Sequence, residues 1–508
     1  MTSRRDFLQS VSLLGLGAAG LRLPRPVTPV WTADPFTLGV ASGDPWPDGF
    51  VLWTRLAPDP VNGGGMAPAD VPVRWEVATD EGMRQVVRRG TTMATPEFAH
   101  SVHVELRGLA PDRWYWYRFM SGDATTPVAR TRTAPLAGAD PARLRMAFAS
   151  CQHYEWGFYA AHRHLAREDV DLVCFLGDYM YEGHAARPVR THEADEPLTL
   201  AAYRNRYAHY KQDEHLQAAH RSCPWVVTWD DHEVDNNYAG LISELGDPVA
   251  TFAIRRAAAY RAYYEHMPVR RAAMPRGPDA LLYRRLPWGS LATFHVLDGR
   301  QYRSDQACGD RRKPPCEEWG REDRTMLGTV QERWLGDGLS ASRSTWNVLG
   351  NQVVMMPMDL DPGPGEAYNM DAWSGYPAAR RRLMSLVAER RVPNVVAITG
   401  DVHANYAGEI PADPAAPDKA AVAVEYVGTS MTSDGDGSDA QPPVLAILPS
   451  NPNVKYHNNR RGYVRCEITK DAWHADYRVV PHVHAADVEI STHASFVTPA
   501  GAARVERA

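Results

Sequence analysis

Five apolar runs of strand length each end in side chains that bind hard or borderline cations. RLRMAFAS (143–150) leads into Cys151-Gln152-His153, and DLVCFLG (171–177) into Asp178-Tyr179-Met180-Tyr181-Glu182. PWVVTW (224–229) leads into Asp230-Asp231-His232-Glu233. STWNVLG (344–350) leads into Asn351-Gln352, and PNVVAITG (393–400) into Asp401-Val402-His403-Ala404-Asn405. Carboxylates, imidazoles, a thiol, a phenol and amide oxygens together form a donor set for a group of cations. Two cations a few ångströms apart can hold both the attacking and the leaving oxygen of a phosphoryl displacement. Asp178 is the natural bridging carboxylate. Tyr181 suits a trivalent iron, because a strong Lewis acid lowers the pKa of a phenol.

Each piece has a plainer reading. GDYMY alone is a strand-end turn under an aromatic lid, DDHE alone is a helix start with acidic first-turn residues, and Cys151 alone is core. His403 alone is a satisfied half-buried histidine. The recurrence after five separate apolar runs is what favours a site. The carboxyl ends of strands in an α/β sheet are where sites collect, so the five clusters are expected to converge.

The elements that must position them follow from the same patterning. From about residue 143, strand-length apolar runs alternate with helical stretches such as GFYAAHRHLAREDV and PVATFAIRRAAAYRAYYEHM, which indicates an α/β core. Before it, residues 34–134 read as all-β, with FVLWTRLA, VPVRWEVATD, SVHVELRGL and RWYWYRFMSG separated by Gly, Pro and Asp turns. That spacing suggests a small β-sandwich domain. TRTAPLAGADPARLR is the expected linker into a second domain at 143–508. The segment 184–215 reads equally as a lid or as a solvated surface helix. DGDGSDAQPP (434–443) reads as a flexible loop, and residues 451–480 read as two edge strands.

The length suits two domains, and a formal net charge of −6 gives no reason to expect a nucleic-acid partner. Six cysteines include no C-x-x-C pair, so a zinc ribbon is not indicated. For Cys308 and Cys316, a disulfide and two free loop thiols are both open. Residues 1–33 carry Arg4-Arg5, then Phe7-Leu8, then a short apolar stretch of small residues. That order resembles a twin-arginine export signal, with cleavage somewhere between Ala18 and Ala33, and is too short for a membrane span.

GDYMYE, WDDHEVDNN, GNQ and GDVHANY resemble the ordered blocks of the calcineurin-like metallophosphoesterases. SCQ in place of an Asp-x-His opening, and GDVH in place of GHxH, resemble the PhoD-type alkaline phosphatases, as does LDGRQYRSDQ (297–306). The resemblance implies a four-layer αββα catalytic core with an iron(III) and calcium centre, two calcium ions being possible. It implies Cys151, Asp178, Tyr181 and His403 on iron, Asp178 bridging to calcium, Asp231 and Asp401 on calcium, and Asp230 nearby. His232 stands where the superfamily has its general acid or transition-state stabiliser, or else orients Asp231. Asn236, Asn237, Asn351 and Arg300 are weaker candidates for phosphate contacts, with a structural salt bridge favoured for Arg300.

The implied reaction is metal-activated hydroxide attack on phosphate esters, in a protein exported to the periplasm, cell surface or medium. Expected partners are small phosphate esters or diesters, and the twin-arginine translocase during export. A phosphodiesterase or phospholipase D-like activity, and a secreted calcium-stabilised binding protein, are the alternatives.

Overall fold

The computed structural model describes residues 29–192, 194–413 and 420–508. The twin-arginine segment lies outside the described residues. Two large sheets dominate. One has ten strands and is centred on three short parallel strands, Leu144–Ala149, Leu172–Phe175 and Trp225–Val227. The other has seven strands, with Ala292–Val296, Trp346–Gly350, Val395–Thr399 and Ala421–Val427 running parallel at its centre.

The apolar runs are continuous because both faces of these strands are buried. Met146, Phe148, Cys174 and Val226 on the ten-stranded sheet share one core with Phe294, Val348, Ile398 and Tyr426 on the seven-stranded sheet. The alternate residues Ala147, Val173, Phe175 and Val227 pack with Tyr203, Tyr207, Leu216 and Tyr263 from helices Leu200–Lys211, Glu214–Ser222 and Val249–His266. Beyond the seven-stranded sheet, Leu349, Val395 and Ala397 pack with Leu335, Leu339 and Leu383 of helices Gly328–Ala341 and Pro377–Arg390. The molecule is mixed α/β, with an N-terminal β-sandwich.

Three sequence expectations change. Residues 451–480 are not a pair of edge strands. Val454–Asn458 ends the seven-stranded sheet, whereas Gly462–Ile468 and Ala472–Val479 lie inside the ten-stranded one. The solvated-helix reading of 184–215 fails at Leu200–Lys211, which buries Tyr203, Tyr207 and Tyr210. The N-terminal strands also extend the ten-stranded sheet, since Val40–Trp46 runs parallel to Trp225–Val227 at Gly43 and Trp225. Glycine is needed there, because a Cβ at Gly43 would lie 2.3 Å from the Pro268 carbonyl oxygen.

Candidate metal centre

The site is built on the turns that follow the parallel strands. Hydrogen bonds tie these turns together: Cys151 N–H to the Gly177 carbonyl (3.1 Å), Gln152 N–H to the Asp178 carbonyl (3.1 Å), and Asn351 N–H to the Ile398 carbonyl (3.0 Å). At Gly177 (φ +116°) a Cβ would lie 2.4 Å from the Asp230 Cβ, so glycine lets the second and third turns close on each other. Cys151, Asp178, Asp401 and His403 all have left-handed backbones, with φ of 59°, 56°, 66° and 53°. Such a conformation costs roughly 1–2 kcal/mol at each non-glycine residue and collects at functional sites.

Three linked groups of donor atoms, each within 4.8 Å of one another, result: Cys151 with Asp178 and His403; Asp178 with Asp231 and His232; Asp230 with Asp231 and Asp401; a fourth group, His153 with Glu155 and His192, shares no residue with them. Of the linked three, Asp178 belongs to the first two and Asp231 to the last two. Tyr181 Oη joins the first, donating to Asp178 Oδ2 at 2.8 Å and lying 3.1 Å from His403 Nε2. The second Asp178 oxygen, Oδ1, is buried without a hydrogen-bond partner.

Burial, with Asp231 and Asp230 nearby, pushes the Asp178 carboxyl well above its usual range despite His232. Burial and Asp230 do the same to Asp401, and burial with Asp178 raises the thiol of Cys151 and the phenol of Tyr181. An orphaned carboxylate oxygen amid crowded buried carboxylates, a thiol and a phenol is a donor set that fits cations, which would displace those protons.

His232 is one-fifth exposed, with Nδ1 2.7 Å from Glu182 Oε2. Burial favours the neutral ring, but Glu182, Asp231 and Asp178 together hold it well above the usual histidine range.

The weaker candidates separate. Arg300 is fully buried; its Nε donates to Asp230 Oδ1 at 2.5 Å, and Nη1 and Nη2 each donate to Asp371 at 2.8 Å, so no face is open to a phosphate. Asn351 is buried and committed to the Val353 carbonyl, Thr399 and Trp373. Asn237 N–H donates to Asp231 Oδ2 (2.8 Å) and its side chain to Asp310 (2.7 Å), while the Asn236 side chain reaches outward to Glu244.

Several contributors went unassigned in sequence. Glu233 accepts the backbone N–H groups of Asp178, Tyr179 and Asp230 (3.1, 2.6 and 2.8 Å) and so fixes two turns to each other. Its place beside Asp231 and His232 was the available signal. Asp371 gathers Arg300, Arg303 and Gln306 from far along the chain, with no local motif to announce it. Arg461 donates to the carbonyls of His403 (2.5 Å) and Gly435 (2.7 Å) and so ties their two turns together.

The family model described as PhoD-like phosphatase matches residues 146–477, and that of its N-terminal domain matches residues 23–135. Alkaline phosphatase D of Bacillus subtilis (strain 168) is 49% identical over 507 residues, covering 97% of this chain and 87% of that protein. A solved structure described as "Structure of PhoD" superposes with a TM-score of 0.93 at 50% identity, covering 94% of this chain and 93% of the other. With both parts of the chain matched in order and every turn of the site inside the longer match, the chain belongs to the PhoD-like phosphatase family.

Proposed function

We propose that this protein is a metal-dependent phosphoesterase that releases phosphate from phosphate esters, as its relationship to alkaline phosphatase D suggests. The observation that carries the reading is the run of three donor groups sharing Asp178 and Asp231. In it, Cys151, Asp178, Tyr181 and His403 would hold iron(III), and Asp231 and Asp401 would hold calcium, with Asp178 between them and Asp230 beside them. Such cations, when bound, neutralise charge on phosphoryl oxygens and make water acidic enough to serve as nucleophile.

The chain's own residues do the rest. A bond from the water oxygen to phosphorus forms as the bond from phosphorus to the leaving oxygen breaks, and the proton that the water gives up passes to bulk solvent, from which His232 is recharged. Charged His232, poised by Glu182, gives the leaving oxygen its proton. Glu233 and Arg300 hold the carboxylate-bearing turns rigid, so that the donors keep their spacing as charge builds.

We read the three packed cores as an αββα order in a catalytic domain spanning about 143–508, after a sandwich at 34–134. Export by the twin-arginine route is supported by Arg4-Arg5 and the short apolar stretch that follows. No helix among the described residues is long and apolar enough to cross a membrane.

The test is hydrolysis of p-nitrophenyl phosphate beside bis-p-nitrophenyl phosphate, on metal-replete protein with calcium at alkaline pH. Faster turnover of the monoester supports the phosphatase, whereas a preference for the diester makes it a phosphodiesterase. Turnover of neither, with metals confirmed bound, overturns both and leaves a calcium-stabilised binding protein.

A further inference from the structure

The loop 434–443 reads in sequence as a flexible connector, yet its first residue, Asp434, and Ser433 just before it touch two of the candidate iron donors. Ser433 is buried, and its hydroxyl lies 2.8 Å from Tyr181 Oη, 2.8 Å from the Cys151 carbonyl, and 3.1 Å from the His153 N–H that donates to it. One hydroxyl thus touches the backbone on either side of Gln152 and the phenol of Tyr181. Asp434 Oδ2 lies 2.7 Å from His403 Nδ1. A carboxylate that accepts from Nδ1–H fixes the tautomer, leaving the Nε2 lone pair directed at the group where Tyr181 Oη lies 3.1 Å away. Arg461 fastens the loop from behind by bridging the carbonyls of His403 and Gly435.

We infer that Ser433 and Asp434 are positioning residues for the iron half of the centre: Ser433 fixes Tyr181 against Cys151, and Asp434 fixes the ring of His403. This inference rests on the proposed metal reading and makes a narrower claim. Neither side chain is hydrogen-bonded to Asp230, Asp231 or Asp401 among the described residues, so the calcium half should not depend on them.

The test compares Ser433→Ala, Asp434→Ala and Asp434→Asn with wild type in the full chain. Iron and calcium retained after dialysis against a chelator are measured by mass spectrometry, and the metal-free proteins are melted. Loss of a partner that orients a metal ligand typically costs 10–100-fold in affinity. Asp434→Ala is therefore expected to hold iron at least about tenfold more weakly, with calcium retention and metal-free melting unchanged. Asp434→Asn, whose amide oxygen still accepts from Nδ1–H, should fall between. Asp434 is 61% exposed, so its variants fold even if Ser433→Ala does not. Iron held equally by Asp434→Ala and wild type overturns this inference alone. Iron and calcium lost together, or iron lost in step with the metal-free melting temperature, marks a merely structural role and overturns it too. A wild type that binds no iron overturns the metal reading and this inference with it.

Discussion

Glu182 Oε2 sits 2.7 Å from Nδ1 of His232, while the other carboxylate oxygen accepts the Asn236 N–H at 2.9 Å. One side chain therefore sets both the charge of the imidazole and the path of the loop beyond it. The Tyr181 ring covers one side of His232, with centroids 4.0 Å apart, so the imidazole has little freedom to turn.

If His232 supplies a proton, the need for it scales with the basicity of the leaving oxygen. His232→Ala should slow hydrolysis of an alkyl phosphate about 10²–10⁴-fold and that of p-nitrophenyl phosphate far less, because nitrophenolate departs without a proton. Glu182→Gln should shift both rates the same way by a smaller factor. Equal losses on both substrates would count against proton donation.

Arg300 is a structural keystone by the same kind of geometry. It is fully buried among Asp230, Asp371 and, at 3.6 Å each, Asp231 and Asp401. Arg300→Met leaves those carboxylates without their cation, and breaking a buried pair in this way costs roughly 3–5 kcal/mol. Urea unfolding of the variant should show that loss. Removing the exposed Arg321, which pairs with exposed Asp323, should leave the unfolding curve nearly unchanged, because water already screens that pair.

Lys211 predicts a pH dependence of stability. Its ammonium is buried 4.1 Å above the Trp53 ring, and burial lowers its pKa from 10.5 to about 7. Above pH 10.5 the folded and unfolded chains are both neutral there and the lysine costs nothing. As pH falls toward 7 only the unfolded chain takes up the proton, so stability is lost progressively, and below 7 the loss is complete. Lys211→Met should therefore stabilise the protein about 3 kcal/mol more at pH 7 than at pH 10, read from denaturation curves at the two values. An equal gain at both would place the ammonium in contact with water.

Cys308 and Cys316 form a disulfide, which resolves the alternative left open in sequence. The loop it closes includes Asp310, the partner of Asn237, and begins beside Gln306, which donates to the Asn237 carbonyl at 2.7 Å. Closing a loop this short contributes about 2–3 kcal/mol. Cys308→Ser with Cys316→Ser should lower stability by about that amount and raise KM more than it lowers kcat, since the loop steadies Asn237 at the edge of the site. Steady-state kinetics and thermal melts on the double variant check both halves, and unchanged KM would separate the loop from the site.

Local patterning made the parallel strands and their terminal donors legible. A strand buried on both faces is largely apolar, so the polar residues that follow 144–149, 172–175, 225–227 and 395–399 stand out as turns. Because parallel strands place their carboxyl ends on one side, Cys151, Asp178, Asp231 and His403 could be assigned to a common site without coordinates.

What the sequence could not supply was the support for those residues. Asp371 serves Arg300, and Asp434 serves His403, across 71 and 31 residues through loops of no regular period. Nor could alternation reveal that Gly462–Ile468 inserts beside Leu144–Ala149, or that Val40–Trp46 completes the same sheet from the other side. Periodicity encodes which face of an element is buried. It carries no information about which distant element covers that face, and that choice is made only when the whole chain packs.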